Sequence, residues 1–371
     1  MSEIPVADDL GALDAAIAGI PNHPAVFVLW PKQGDPYLAK TNVLRRRLAR
    51  LLGARESPSR FLNLRHTIAR VEYWLTGSSL ESHVRMYELA RQHFPKTYLD
   101  VLRLRMPPYF KVILTNEFPR SQITTHLGRS PAVYFGPFRS RVSAERFESQ
   151  FLDLFQMRRC QEDLVPSPAH PGCIYGEMSM CLRPCQQVVS AEEYRHEVDR
   201  VAEFLRTDGR SLVDIATAER ERSSAEMDFE QAARQHKRIE KIQEVLGLRD
   251  ELAREIGHLN GVAVTASVEP QAVELWFVSE GFWQPPRRIN FEVIEGKPVS
   301  LDQKLHEAAS SFVPVERSMR ERQEYLAILA RWFYSSWRDG EWFAFDSPQT
   351  LPYRKLVHAI SRVAKRPSVT V

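Results

Sequence analysis

The chain has no run of about eighteen consecutive apolar residues, the length a helix needs to cross the hydrocarbon core of a bilayer. A membrane-spanning helix, and with it a membrane partner, is therefore not expected. Its opening stretch, MSEIPVADDLGALDAAIAGI, carries acidic residues where a secretory signal needs a basic segment. A bacterial-type cytoplasmic location follows as the expectation. Cysteine is scarce, with four in 371 residues. In a reducing compartment clustered thiols seldom persist as disulfides, so a disulfide scaffold is the weaker reading. Charge of one sign is also lacking: 50 basic residues against 47 acidic leave a formal net charge of +3. Charge of the whole chain thus makes no case for a nucleic-acid partner. What is present is ordinary for a globular protein, 43% hydrophobic and 26% charged. The length suggests two or three domains.

All four cysteines fall between Arg158 and Cys185, in RRCQEDLVPSPAHPGCIYGEMSMCLRPC, spaced C-x12-C-x7-C-x3-C. Cys160, Cys173, Cys181 and Cys185 form a sulfur set that suits zinc or an iron–sulfur cluster. Pro166, Pro168, Pro171, Gly172 and Pro184 forbid a continuous helix there, so the loop needs something besides a helix core to hold its shape. No C-x2-C knuckle is present, which counts against an ordinary zinc ribbon. Four buried, unliganded thiols are the plain alternative, and spacing does not choose the metal.

Three other stretches stand out. From Tyr37 to Arg60 the chain carries seven basic residues and one acidic. Arg45, Arg46, Arg47 and Arg50 lie on or near one helix, a candidate phosphate-tracking surface or simply a solvated face. YFGPF, Tyr134 to Phe138, precedes Arg139 and Arg141. Tyr134 and Phe135 beside these cations suit splayed bases, or else form a core turn. Ala218 to Glu255 is charge-dense and free of proline, and Phe229, Ala232, His236, Ile239, Ile242 and Leu246 recur at helical spacing. That stripe fits a helical hairpin packed on its own chain or on a partner, with Ala232 and Ala233 small enough for close approach. Beyond it, GVAVTASVEPQAVELWFVSEGFW reads as paired strands turning at Glu269–Pro270, and LDQKLHEAASSFV as a helix.

YFGPF, then FLDLFQMRRC, CLRPC and SAEEYRHEVDRVAEFL follow one another in the order and intervals of the UvrC family, which the chain resembles from about Pro24 onward. The resemblance implies a role in nucleotide excision repair. It also implies a four-iron four-sulfur cluster on the four cysteines, with zinc as the alternative. MDFEQAARQHKRI resembles the UVR motif through which that family meets the helicase subunit UvrB. Phe229, Glu230, Ala232, Ala233, Arg234 and Ile239 fit the motif, while His236 and Lys237 depart from it.

A family member begins with a GIY-YIG nuclease domain, in which tyrosines flank the phosphate, an arginine steadies charge and a glutamate holds the metal. PAVFVLW and YLAKTNVLRRRLARLL resemble its first strands and helix. Tyr37, Lys40 and Arg47 match, whereas Ala25 and Ala39 replace glycines, and Phe27 and Leu51 replace tyrosines. Alignment from Pro95 puts Met86 at the glutamate's position and Glu81 at a non-ligand glutamate; Glu88 points elsewhere on the helix. A thioether is a poor ligand for magnesium or manganese, so neither is expected at this site.

The reading is a multidomain α/β (α+β) protein of the UvrC type. Its parts are a degenerate GIY-YIG-like domain (1–105), a YFGPF and Cys-cluster region (106–215), a UVR helical hairpin (216–256) and a C-terminal α/β domain (257–371). The RNase H-like nuclease and helix-hairpin-helix motifs of the full family are not recognisable. The expected function is a DNA- and UvrB-binding accessory factor with lost or weak nuclease activity. Two alternatives stay open: a single-incision GIY-YIG endonuclease, and an iron–sulfur regulator that competes with UvrC for UvrB.

Overall fold

A computed structural model of the chain describes residues 2–5, 10–54, 63–291, 293–294, 297–298, 300–310 and 318–365. Arg55 and Arg60 of the basic stretch, and the end of LDQKLHEAASSFV, lie outside these residues. Among the described residues, no helix is long and apolar enough to cross a membrane.

The N-terminal unit contains β1 (Ser2–Pro5), α1 (Leu10–Gly19), β2 (Ala25–Pro31), β3 (Tyr37–Thr41), α2 (Leu44–Leu52) and β4 (Ile68–Leu75). Its four strands form an antiparallel sheet in the order β1-β4-β2-β3. Strand alternation divides β2 between two faces. Ala25, Phe27 and Leu29 pack toward Leu13 and Ile17 of α1 and Leu44, Leu48, Leu51 and Leu52 of α2. Val26 and Val28 pack on the other face with Leu38, Trp30, Trp74 and residues of the next helix. That helix, α3 (Ser79–His93), is followed by α4 (Tyr98–Leu102). Ser78 accepts from the Glu81 amide at 3.1 Å, and the Glu81 carboxylate accepts from the Gly77 amide at 2.7 Å, which satisfies two orphan donors at the start of α3.

The middle unit holds β5 (Tyr109–Ile113), β6 (Arg120–Thr124), β7 (Ala132–Gly136), α5 (Arg141–Leu152), the short α6 (Ile174–Glu177) and α7 (Ala191–Arg206). Then α8 (Arg210–Ala225) and α9 (Phe229–Gly247) make an antiparallel hairpin, and the chain returns as β8 (Arg254–Glu255). The sheet order is β6-β5-β7-β8, so β8 belongs to the middle sheet although the sequence places it with the hairpin. The first arm of the hairpin starts at Arg210, before the residues assigned to it from sequence. An aromatic core of Phe110, Phe135, Phe138, Phe147, Phe151, Phe155 and Phe204 fills one face of this sheet, with the Phe135 and Phe147 rings stacked at 5.1 Å.

The C-terminal unit runs β9 (Gly261–Ala266), β10 (Ala272–Ser279), β11 (Phe282–Trp283), β12 (Arg287–Asn290), β13 (Val293–Ile294), β14 (Lys297–Pro298), α10 (Leu301–Ser310), α11 (Met319–Phe333), β15 (Gly340–Ala344) and α12 (Tyr353–Ala364). Its sheet is ordered β11-β10-β9-β15, with β12 also paired to β10. One face is covered by Leu305 of α10 and Leu356, Ala359, Ile360 and Val363 of α12. The other meets α11 through Ala263, Trp276 and Val278 against Leu326, Leu329 and Trp332. Tyr87 and Ala90 of α3, and Tyr109 and Tyr134 of the middle sheet, belong to that same core. The three units therefore share one helix, α11. The protein is a multidomain mixture of helices and antiparallel sheets.

Glu81 lies where the N- and C-terminal units meet. Burial pushes its carboxyl up to about 7, against the pull of the Gly77 amide, and the nearby Glu274 charge raises it further. A carboxyl raised in this way stabilises the fold fully below its ordinary pKa and loses that contribution as pH rises through about 7. Glu81→Gln keeps the acceptor for Gly77 without the charge. The parent chain should lose on the order of 2 kcal/mol relative to this variant between about pH 5 and pH 8. Paired melting curves across that range check it, and parallel curves would contradict it.

Candidate functional site

The N-terminal site is built on β2 and β3. Tyr37 and Phe27 lie on the α2 side of the sheet, their ring centroids 6.2 Å apart. Arg47 Nη2 of α2 donates to the Tyr37 hydroxyl at 3.3 Å. Leucines 44, 48, 51 and 52 bury one side of α2, which leaves Arg45, Arg46 and Arg50 exposed on the other. Two sequence-matched residues thus meet, beside an exposed cationic helix face. Leu51, where the family has a tyrosine, is core.

Lys40 lies on the opposite face, where β3 packs against α3. Its Nζ is 2.8 Å from His83 Nε2 and 5.5 Å from the centre of the Trp337 ring. His83 Nδ1 sits 2.6 Å from the Ser79 carbonyl. A carbonyl only accepts, so the ring proton is on Nδ1 and Nε2 accepts from lysine. Burial, then the Lys40 charge, pushes His83 down to about 4. Burial and the Arg331 charge bring Lys40 down to about 8. The His83 ring also stacks on Trp337 at 4.9 Å. Sequence reading missed both partners. His83 lies one turn before Met86 on the same helix, so helical spacing from Met86 leads to it. Trp337 carried no signal, because nothing local links it to position 83.

Met86 corrects an expectation. It packs with Val26, Val28, Leu89 and Trp74, on the α3 side of the sheet. It does not face the Tyr37–Arg47 pair, because side chains at even and odd positions of β2 point to opposite faces. Glu88 is exposed and paired with Arg85 at 2.9 Å, and Glu81 is a helix cap.

Tyr134 and Phe135 correct another. Phe135 is 2% exposed and Tyr134 3%, on opposite faces of a strand that is covered on both. Their rings have no open face for a base, so neither serves as a stacking platform. Arg139 and Arg141 remain exposed, at the start of α5. There the Arg139 amide and Ser143 Oγ donate to Asp250 Oδ2 at 2.6 and 2.7 Å.

The cysteine loop wraps around a buried arginine. Arg158 is 2% exposed, and its guanidinium donates to the carbonyls of Phe118 at 3.0 Å and Glu162 at 2.8 Å. It also reaches Cys160 Sγ at 3.3 Å, and the Arg183 amide reaches Cys181 Sγ at 3.4 Å. Ser179, Arg183 and Gln187 take positive φ, so the backbone turns sharply around the sulfurs. Burial pushes the Cys181 thiol up to about 11, and the charges of Cys160, Cys173 and Cys185 each add to the shift. Cys185 is raised for the same reasons. The four thiols therefore feel one another. Yet among the described residues no group of three or more His, Cys, Asp or Glu side chains is gathered closely enough to hold a metal ion.

The hairpin tip offers apolar surface. Met227 is 77% exposed and Phe229 70%, flanking the Asp228 cap of α9. Glu230 pairs with Arg234 at 3.1 Å, Ala233 is exposed and Ala232 half-buried. Ile239 departs from its partner-binding assignment: it is buried within the chain, as are Ile242 and Val245. The helical stripe is thus divided, core toward the base of the hairpin and open toward its tip.

Residues 108–204, from the start of β5 nearly to the end of α7, match the model of the UvrC/Cho excinuclease middle domain. The fold and its cysteine loop accordingly define a multidomain protein built around a middle domain of that type. UvrABC system protein C of Moorella thermoacetica is 30% identical over 270 residues, covering 72% of this chain and 44% of that protein. Its counterpart in Lachnospira eligens is 24% identical over 327 residues, 86% and 53% of the two chains. For Acetivibrio thermocellus the figures are 24% over 357 residues, 93% and 56%. The chain belongs to the UvrC family. It spans about half the length of the curated relatives it matches. No solved structure matches it.

Met86→Glu should not repair the N-terminal site. It would set a carboxylate among Val26, Val28 and Leu89, away from Arg47. We expect a loss of about 1–3 kcal/mol in stability, since the half-buried charge replaces apolar contacts and gains no partner. Thermal melting checks this, and a stabilised variant would show that position 86 faces a cation.

Proposed function

We propose that the chain acts in the cytoplasm as a DNA-binding accessory protein of nucleotide excision repair, contacting UvrB and making no incision at its N-terminal domain. The observation that carries this reading is the divided N-terminal site. Tyr37 and Arg47 meet at 3.3 Å, but position 86 supplies a thioether on the other sheet face. A phosphate could be oriented there. Position 86 faces away from it and Glu88 is exposed and paired with Arg85, so neither brings a carboxylate to a Lewis acid there, and metal assistance is worth several kcal/mol of transition-state stabilisation. Family membership supports the repair role, and the solvent-facing Arg45, Arg46 and Arg50 support sequence-independent DNA contact. The exposed Phe229 and Met227 support docking of a partner helix pair at the hairpin tip.

An iron–sulfur cluster on Cys160, Cys173, Cys181 and Cys185 belongs to the same proposal. Mutual opposition to thiolate formation is relieved when a positively charged metal binds the sulfurs. The N–H donors at Cys160 and Cys181 suit sulfurs that carry negative charge. Bound there, the cluster would hold the proline-rich loop in shape, and zinc is the alternative occupant.

Incubation with damaged duplex, magnesium or manganese, and UvrA and UvrB should yield no nicks. Nicks abolished by Arg47→Ala would favour the single-incision alternative. In the same preparation Phe229→Ala should weaken binding to the C-terminal helices of UvrB by about 2–4 kcal/mol and leave melting unchanged, because the ring is 70% exposed. Unchanged affinity would remove UvrB from the proposal.

Purified without oxygen, the chain should contain iron and sulfide. Cys181→Ser should lose the iron and make the 160–185 loop protease-sensitive. Stoichiometric zinc without iron would exclude the cluster.

A further inference from the structure

Between the middle sheet and α11 lies a cleft of about 790 Å³. Its walls come from four stretches: the linker after α4 (residues 103–108), Thr125 after β6, the turn into α5 (138–141) and the C-terminal part of α11 with the two residues after it (327–335). Five arginines line it, Arg103, Arg105, Arg139, Arg141 and Arg331, with no aspartate or glutamate among its described lining residues. We infer that this cleft is a docking track for the sugar–phosphate backbone of DNA, with Arg105, Arg139 and Arg331 as its phosphate contacts. The inference rests on the DNA-binding reading above and gives that reading a surface which the exposed face of α2 does not include.

Crowded cations are the first reason. Arg141 spends its charge on Glu145 at 2.7 Å. Arg331 instead donates to the Leu102 carbonyl at 3.1 Å, which holds its guanidinium against the arginine-bearing linker. Burial and the Arg105 charge both lower the pKa of Arg331, so like charges are held together at a cost that a bound anion would relieve. The second reason is the cleft's limits. A neighbouring cleft continues past Arg139 to Asp250 and Glu251, whose two carboxylates offset Arg139 and Arg338, so the surplus of positive charge ends there. In the other direction the Arg331 charge is felt by Lys40 and His83, so positive potential extends toward the N-terminal unit. The third is how little aromatic surface the lining offers. Phe138 is fully buried, and Tyr334 is half-buried with its hydroxyl donating to the Pro137 carbonyl at 3.0 Å. Five guanidiniums beside one half-buried ring favour phosphates over bases.

The test uses the full chain and fluorescence anisotropy with two duplexes of unrelated sequence across a salt titration. Arg105→Ala combined with Arg331→Ala should weaken both equally, by roughly fivefold per contact at about 0.15 M salt, and make the salt slope shallower by about two units. Arg331 also ties down a carbonyl, so Arg105→Glu alone is the second variant, and it should weaken binding without lowering the melting temperature. Arg105→Lys with Arg331→Lys should keep most of the slope. If these variants leave the slope unchanged while Arg45→Ala with Arg46→Ala reduces it, the cleft proposal fails and the DNA-binding reading survives. If the parent chain binds no DNA, both fail. Tighter binding of RNA of the same sequence, or displacement of DNA by millimolar inorganic phosphate, would also overturn the proposal.

Discussion

A carboxylate with 1% exposure sits at the centre of the molecule. Glu324, in the middle of α11, accepts from the hydroxyls of Tyr87 at 2.6 Å and Tyr98 at 2.5 Å, and from Arg320 at 3.0 Å. Tyr87 is on α3, Tyr98 on α4 and Arg320 on the first turn of α11. One buried charge thus gathers the N-terminal helices onto the C-terminal unit. Charge-assisted bonds of this kind are about twice as strong as neutral ones, and a buried carboxylate deprived of its donors is costly. Around it α11 presents apolar residues to two sheets at once. Asp339 adds a second tie, accepting from the Ser79 amide and hydroxyl and from Trp332 Nε1. The N-terminal unit is capped by a residue 260 positions away in sequence.

This arrangement bears on both surfaces proposed for DNA. Docking α3 against α11 places Trp337 over His83 and brings Lys40 into the field of Arg331. The same docking sets Arg331 beside Arg105, where the cleft forms. The N-terminal sheet meanwhile keeps Tyr37 and Arg47 on its α2 side, turned away from that junction. The Tyr37–Arg47 pair and the arginine-lined cleft are therefore on different faces.

Much of the local structure was legible in the residues. Leucines at 44, 48, 51 and 52 bury one side of α2, so the exposure of Arg45, Arg46 and Arg50 follows from helical period alone. The α9 arm of the hairpin and the strand pair around Glu269–Pro270 likewise follow from periodicity and turn residues, whereas the first arm begins at Arg210, ahead of the boundary the sequence suggests. Three of the corrections share one cause. Tyr134, Phe135 and Ile239 were given outward roles, and each is covered by elements far away in sequence or on the other arm of a hairpin. Period tells which residues share a face; it does not tell whether that face is covered.

By itself, the sequence determined the gathering of four cysteines into one proline-broken loop and the basic face of α2. Each depends on spacing within a few turns of chain, where side-chain direction is set by backbone period. Tertiary structure alone decided that Met86 and Arg47 lie on opposite sheet faces, that Glu324 is the junction of three helices, and that five arginines from three stretches line one cleft. Those outcomes depend on which surfaces exclude water together, and that is settled only when distant segments compete for the same apolar partner.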